Sequence, residues 1–175
     1  LSDISIDPAA NRAYVTDFDE GLKVIDLANN SVLKTIPVAN GPHGLAIDSN
    51  ENLVYVTQVE SNTLSVIDVV TGSILDVIPV GAVPQWVALN SSRTKACVTN
   101  EGDGTVSVVD TSTRAAIGTI TVGTNPFFIL TDPSAEGAYV SNVGSNTISV
   151  IDTASDIVVS TISVGLEPIG LAINP

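Results

Sequence analysis

Three sequence markers recur through this chain with a common spacing of 42 residues. The first is the aspartate that ends the runs "EGLKVID", "NTLSVID", "GTVSVVD" and "NTISVID", namely Asp26, Asp68, Asp110 and Asp152. The second is a proline, at Pro42, Pro84, Pro126 and Pro168. The third is the run "YVT", "YVT", "CVT" and "YVS", beginning at Tyr14, Tyr55, Cys97 and Tyr139, with its first step shortened to 41 residues. Agreement among three markers indicates one structural unit written four times.

Each unit contains four short runs that have strand character. In the second unit they are "GLAID" (44–48), "LVYVT" (53–57), "TLSVID" (63–68) and "ILDVIPV" (74–80), separated by turn-forming residues. No segment has the apolar spacing of a helix. A four-stranded unit of this length is typical of a β-propeller blade. The sequence therefore predicts an all-β propeller of four consecutive four-stranded antiparallel blades plus one extra strand.

The predicted blades cover residues 1–40, 41–82, 83–124 and 125–166, and 167–175 repeats the first-strand pattern of a further blade. The chain also opens within such a pattern, "LSDISIDP", and without Met, which favours a sequence that is part of a longer one. Because a first strand is present at both ends, we expect that the four blades do not close a ring. The arc would continue into further sequence or into a second copy of the chain.

Positions that repeat in every unit are interpreted as structural. The aspartate after the third strand is expected to accept hydrogen bonds from the backbone of the following turn. The residues before that strand, namely Gly21, Asn62, Gly104 and Asn146, are types that tolerate positive φ. Cys97 replaces the tyrosine of the other units, so we expect a buried apolar thiol rather than a reactive one.

Charge and composition exclude some classes of function. The formal net charge is −13, from 19 acidic and 6 basic residues, which disfavours nucleic acid and anionic membrane surfaces as partners. No apolar run approaches the ~20 residues that span a bilayer, so membrane insertion is not expected. The lone cysteine excludes an internal disulfide and a cysteine-rich metal site.

The repeated runs resemble the YVTN β-propeller repeat. The resemblance is carried by "CVTNEGDGTVSVVD" (97–110), by "YVSNVGSNTISVID" (139–152) and by "TISVGLEPIGLAINP" (161–175), and it covers essentially the whole chain. It implies a larger ring of about seven blades and a place in surface-layer, secreted or periplasmic proteins of bacteria and archaea. It does not imply an activity.

The loops that open onto the channel mouth vary from blade to blade, which is typical of a binding surface. The predicted ligand-binding residues are His43, Gln85, Trp86, Phe127 and Phe128, with Glu60, Glu101 and Asp103 as acidic neighbours. Asp3 and Gly44 stand at the positions equivalent to Trp86 and Phe128. Two interpretations stay open: the aromatic side chains either contact a ligand or only plug the ring.

No catalytic residues and no cofactor are predicted. His43 is the only histidine, no G-x-S-x-G surrounds any serine, and neither a P-loop nor G-x-G-x-x-G occurs. A His-based metal site is excluded, while Ca²⁺ binding to the acidic loops stays open. We therefore expect a non-catalytic binding or scaffold protein whose ligand is a protein, a small molecule or a glycan, with self-association through exposed end blades. The alternative is part of a lactonase- or lyase-like propeller enzyme whose catalytic residues lie mainly in further blades.

Overall fold

The fold is a row of four antiparallel sheets with no helix in residues 2–174, the part of the chain that the computed structural model describes. The predicted first blade starts, and the predicted extra strand ends, on a residue outside this range. Blade 1 contains β1 (Asp3–Asp7), β2 (Arg12–Asp17), β3 (Gly21–Asp26) and β4 (Ser31–Ile36). Blade 2 contains β5 (Pro42–Asp48), β6 (Leu53–Gln58), β7 (Thr63–Asp68) and β8 (Ser73–Pro79). Blade 3 contains β9 (Pro84–Leu89), β10 (Lys95–Asn100), β11 (Thr105–Asp110) and β12 (Ala115–Thr121), and blade 4 contains β13 (Pro126–Thr131), β14 (Gly137–Asn142), β15 (Thr147–Asp152) and β16 (Ile157–Ser163).

The four sheets share one topology and one irregularity. In each sheet the strands pair in chain order, so every blade is a meander. The register between the third and fourth strands shifts at the same place in all four blades, after Val24, Val66, Val108 and Val150. A bulge at a fixed place increases the local twist of the outer strand in the same way in each blade. No described helix is long and apolar enough to cross a membrane.

The structural interpretation of the repeated aspartates is confirmed. The Oδ1 of Asp68 accepts hydrogen bonds from the N–H groups of Val70 and Thr71, at 2.7 and 3.0 Å. Asp152 repeats this arrangement in blade 4, where its Oδ1 accepts hydrogen bonds from the N–H groups of Ala154 and Ser155. The predicted positive φ is also observed, at Gly21 (109°), Asn62 (58°), Gly104 (67°) and Asn146 (58°). These residues start the third strands from turns that other side chains would strain.

The core lies between the blades and not within one sheet. Tyr14 of blade 1 packs with Val54 and Val56 of blade 2, and Tyr55 of blade 2 packs with Val98 of blade 3. At the equivalent place, Cys97 lies against blade 4 and is fully buried. Burial raises the pKa of its thiol to about 12, as a buried structural cysteine requires.

Each end blade exposes one face that, in the inner blades, is covered by a neighbouring blade. Ile4 and Ile6 are 63% and 59% exposed, whereas Leu45, which is equivalent to Ile4, is 4% exposed because blade 1 covers it. At the other end Tyr139 is only half-buried, whereas the equivalent Tyr14 and Tyr55 are fully buried. The four blades therefore form an arc with apolar surface at both ends.

Residues 164–174 contain no strand, although the sequence predicts a first strand there. The segment still lies where such a strand would begin, because the Ser141 hydroxyl donates to the Ile169 carbonyl oxygen at 2.8 Å. Equivalent bonds hold the first strands of blades 2, 3 and 4. A strand also needs a hydrogen-bonded neighbour, and none of the sixteen strands pairs with this segment.

Candidate functional site

The channel mouth is built on a hydroxyl that recurs in the second strand of each blade. The Thr99 hydroxyl accepts a hydrogen bond from the Trp86 N–H at 3.0 Å and donates to the Phe127 carbonyl oxygen at 2.7 Å. It therefore joins the first strand of its own blade to the first strand of the next one. Thr16 and Thr57 do the same in blades 1 and 2, and Ser141 joins β13 to the Ile169 carbonyl oxygen of the C-terminal segment. These buried bonds fix the backbones of the variable site residues.

Four of the predicted site residues form one aromatic cluster. The rings of His43 and Trp86 meet edge to face, with centroids 5.2 Å apart and planes at 83°. Trp86 also contacts Phe127 and Phe128, with centroids 5.6 and 5.1 Å away. All four side chains are partly exposed. The cluster spans blades 2, 3 and 4, so it exists only because the blades pack side by side.

Hydrogen bonds orient the polar members of the cluster. The His43 Nδ1 lies 3.1 Å from the Gln85 carbonyl oxygen. Because a carbonyl oxygen can only accept, the Nδ1 carries the proton and the Nε2 is left for another partner. The Gln85 side chain is 8% exposed, and its Nε2 donates to the Glu101 carboxylate. Glu101 is thus brought to the cluster through Gln85.

Two predicted acidic neighbours lie elsewhere. The Asp103 Oδ2 accepts a hydrogen bond from the Ala82 N–H at 2.6 Å, so this carboxylate holds the connection between blades 2 and 3. Glu60 is exposed and lies beside Gly41, and no contact joins its side chain to the aromatic cluster in the described residues. The structure therefore assembles six of the eight predicted residues and leaves Glu60 and Asp103 outside.

A groove of about 670 Å³ runs along the inside of the arc. The first strands of all four blades line it, including Ser5, Ala46 and Ala88, whose small side chains leave space near the axis. Trp86 and Phe128 form one wall of this groove. Leu130, the larger residue at the equivalent position of blade 4, also lines the groove and stays partly exposed.

Asp3 is a site residue that the sequence interpretation did not select. It lines the groove with Trp86 and Phe128, and its Oδ2 accepts a hydrogen bond from the Leu45 N–H at 2.9 Å. Burial raises the pKa of Asp3, while the backbone bonds and the nearby His43 oppose that rise. The sequence contained one indication that Asp3 belongs to the site, namely that Asp3 stands at the blade position equivalent to that of Trp86.

The assembled groove is suited to binding. It offers the aromatic faces of Trp86 and Phe128 and the partly buried carboxylate of Asp3, with the His43 imidazole beside Trp86, and it opens to solvent along the arc. Aromatic faces attract apolar and cationic groups, and the carboxylate of Asp3 accepts hydrogen bonds from donors. Among residues 2–174, no group of three or more His, Cys, Asp or Glu side chains is arranged to hold a metal ion.

Comparison with known proteins reveals similarity at the level of fold. No family model and no curated protein matches the chain. Among solved structures, it is similar to a hydrazine synthase from Kuenenia stuttgartiensis, with a TM-score of 0.85 and 22% identity over 91% of this chain and 47% of that one. It is also similar to a functionally unknown protein from Desulfotomaculum acetoxidans DSM 771, with a TM-score of 0.78 and 17% identity over 91% and 55% of the two chains.

A third similar structure is the dihydro-heme d1 dehydrogenase NirN in complex with DHE, with a TM-score of 0.74 and 15% identity over 95% of this chain and 38% of that one. The chain spans about half, or less, of the length of these solved structures. With the four sheets described above, the similarity shows that the chain is a run of consecutive β-propeller blades. Identities this low show the fold alone.

Proposed function

We propose that this chain is a binding or scaffold segment of a YVTN-type propeller protein and that it takes its ligand at the channel mouth. The observation that carries the proposal is the cluster of His43, Trp86, Phe127 and Phe128, which stays partly exposed beside a groove of about 670 Å³. Trp86 and Phe128 line this open groove together with the Asp3 carboxylate. Side chains that only filled the centre of the propeller would instead be closed off from solvent.

The chemistry of the groove favours a small ligand with a cationic or apolar face. Trp86 supplies the strongest cation–π surface among the side chains, and Asp3 supplies a carboxylate in the same groove. The net charge of −13 attracts cations to the molecule as a whole. Glycans and protein segments remain ligands to be compared in the same assay.

Intrinsic fluorescence tests this proposal, because Trp86 is the only tryptophan in the chain. Choline, a neutral disaccharide and a lysine-rich peptide would be titrated separately into the protein. We expect a saturable change in Trp86 emission with choline that Phe128→Ala and Asp3→Asn both weaken. Phe18→Ala is the matched control, because Phe18 is exposed and lies outside the cluster. Equal responses from all three variants would contradict a ligand site in the groove.

The proposed location is the cell surface or another exported compartment. It rests on the YVTN resemblance, and the acidic composition agrees with it. The complete gene provides the test. An export signal upstream of these residues would support this location, and a complete gene without one would contradict it.

The second candidate function is an enzyme. Two of the solved structures described above carry the names of enzymes, hydrazine synthase and dihydro-heme d1 dehydrogenase. In that case the arc belongs to a lactonase- or lyase-like propeller, and His43 contributes to a site completed by further blades. A panel of lactones assayed with the full-length protein and its His43→Ala variant distinguishes the two functions. Turnover that is lost in the variant would favour the enzyme.

Self-association through the end blades is part of the proposal. Ile4 and Ile6 on blade 1 occupy the positions at which blades 2 to 4 contact the blade before them. Blade 4 presents Tyr139 at the place of Tyr14 and Tyr55, the residues that cover such a face inside the arc. A second copy placed head to tail would repeat the internal contact, with its β1 competing with residues 168–174 for one position.

A further inference from the structure

A pocket of about 550 Å³ lies between blades 2 and 3, at the end of the molecule opposite the channel mouth. Its walls are the β5–β6 turn and Tyr55 of blade 2, and the β9–β10 and β11–β12 turns of blade 3. Two of the six basic residues of the chain, Arg93 and Arg114, line it. In a chain of net charge −13 this is a local concentration of guanidinium groups that the channel-mouth site does not use.

The two neighbouring grooves are closed by lysines at this end. Between blades 1 and 2, the Lys34 Nζ donates to the Val70 carbonyl oxygen at 3.0 Å. Between blades 3 and 4, the Lys95 Nζ donates to the Thr153 carbonyl oxygen and to both carboxylate oxygens of Asp156, each at 2.8 Å. Each ammonium group thus donates hydrogen bonds to the turn between the third and fourth strands of the next blade.

The groove between blades 2 and 3 has no such closure. The positions equivalent to Lys34 and Lys95 are Asp76 and Leu53. Arg114 stands where blade 4 has Asp156, the partner of Lys95. The lysine–aspartate pair that fills the groove between blades 3 and 4 therefore has no counterpart here, and the Arg114 guanidinium lines an open pocket instead.

Three donor side chains line the pocket and make no hydrogen bond within residues 2–174, although one of them, Arg93, forms an ion pair with Asp48. The Arg93 guanidinium lies 3.8 Å from the Asp48 Oδ1, beyond hydrogen-bond distance, and no hydrogen bond leaves the Arg114 side chain. Tyr55 as a residue is 1% exposed and lines the pocket, and its phenol makes no hydrogen bond in this part of the chain; it is not among the fully buried unpartnered atoms. By contrast, the hydroxyls of Ser91, Thr111 and Ser112 already donate to protein acceptors.

Guanidinium and phenol donors that no protein acceptor occupies are free to donate hydrogen bonds to a ligand oxygen in the pocket. Guanidinium groups match the planar, two-pronged geometry of carboxylate, phosphate and sulfate oxygens. The blade 2 side differs, because Asp48 and Glu51 place carboxylates there. A ligand that fits both walls presents an oxyanion to blade 3 and hydroxyl donors to blade 2.

We propose that this pocket binds an anionic sugar through Arg93, Arg114 and the Tyr55 phenol. The oxyanion is a carboxylate, as in a uronic acid, or a phosphate or sulfate substituent. The ring hydroxyls donate to Asp48 and Glu51. This site is separate from the proposed channel-mouth site, and neither depends on the other.

Amide NMR titration of the full 175-residue chain tests the proposal, with glucuronate, inorganic phosphate and glucose added separately at constant ionic strength. We expect saturable shifts at residues 91–93 and 111–114 with glucuronate, weaker shifts with phosphate, and none with glucose. Arg114→Gln and Tyr55→Phe should each weaken glucuronate binding about tenfold, the loss expected for one charge-assisted or buried hydrogen bond. Lys34→Gln is the matched control, because it removes a cation from the equivalent groove without touching the pocket.

Saturable phosphate binding of equal strength would assign the site to phosphorylated ligands and would still support an oxyanion. Glucose binding as tightly as glucuronate would overturn the proposal, as would shifts that never saturate or that Lys34→Gln reduces as much as Arg114→Gln does. If Arg114→Gln does not fold, Tyr55→Phe decides, because it removes one oxygen and keeps the buried ring.

Discussion

The Thr57 hydroxyl donates a hydrogen bond of 2.9 Å to the carbonyl oxygen of Gln85, which lies 28 residues ahead in the next blade. The same hydroxyl accepts a bond from the Gly44 N–H at 2.9 Å. Thr57 is fully buried, so water does not replace either bond. These two hydrogen bonds explain the third residue of the "YVT" run, because its hydroxyl joins two blades at the channel mouth.

Replacing Thr57 with valine should destabilise the protein by about 2 kcal/mol, because the isosteric methyl group leaves the Gly44 N–H buried without this acceptor. Urea denaturation measures the change. Thr57→Ser is the control and should retain most of the stability, since it keeps the hydroxyl. A Thr57→Val protein as stable as the serine variant would show that the two hydrogen bonds of the Thr57 hydroxyl contribute little to the free energy of unfolding.

Replacing Gly44 with alanine should disturb the junction between blades 2 and 3. An added Cβ would lie 2.5 Å from the Gln85 carbonyl oxygen and 2.7 Å from the Trp86 Cα, closer than such atoms approach. We expect destabilisation of about 1–3 kcal/mol and a change in Trp86 emission. Gly118→Ala is the control, because nothing lies within 4 Å of its added Cβ. The prediction fails if both variants behave like the parent protein.

Acid should destabilise the protein partly through the repeated turn aspartates. Hydrogen bonds from Thr113 and Ser112 lower the pKa of Asp110 from 3.8 to about 2. Because the folded-state pKa is depressed, the stabilisation is complete above pH 3.8 and is lost as the pH falls towards about 2. Asp110→Asn should therefore be less stable than the parent at neutral pH and should lose less stability over this window.

Chemical denaturation at several pH values measures this effect. Asp76→Asn is the comparison, because Asp76 is exposed on β8. If Asp110→Asn and the parent protein lose stability in parallel below pH 3.8, the aspartate is not the source of the acid sensitivity.

Cys97 should not react with thiol reagents in the folded protein. Its side chain is fully buried and its pKa is raised to about 12, so the thiolate is scarce at pH 8 and the sulfur is inaccessible. Labelling with an aromatic disulfide in increasing urea should follow the unfolding transition. Rapid labelling in native buffer, at the rate of a free thiol, would contradict this placement of Cys97.

Lysine at both Ile4 and Ile6 should weaken self-association. Each side chain is more than half exposed on the free face of blade 1, and a charge buried there would oppose docking of a second copy. Sedimentation over a range of protein concentrations measures association. Val159→Lys is the control, since Val159 is exposed on the outer strand of blade 4. A concentration-independent monomer in the parent protein would rule out assembly through these faces.

Residues that repeat in every blade made the fold predictable from the sequence. The turn role of Asp68 and the positive φ of Asn62 follow from local chemistry, because a short carboxylate bonds to nearby amides and asparagine tolerates the left-handed region. The burial of Cys97 follows from its place in the repeat, where the other blades have tyrosine. Such signals lie within a few residues or recur at one period, so a single sequence contains them.

Only the tertiary structure decided which blade-specific side chains meet. Asp3 and Trp86 line one groove although 83 positions separate them. Asp103 accepts a hydrogen bond from the Ala82 N–H and lies outside the aromatic cluster. Likewise, Arg114 faces a pocket because Leu53, and not a lysine, stands on the blade opposite. The repeat determines the position of each side chain within its own blade. Which charges and rings become neighbours depends on how adjacent blades pack, and the physical reason is that these contacts join residues far apart in sequence.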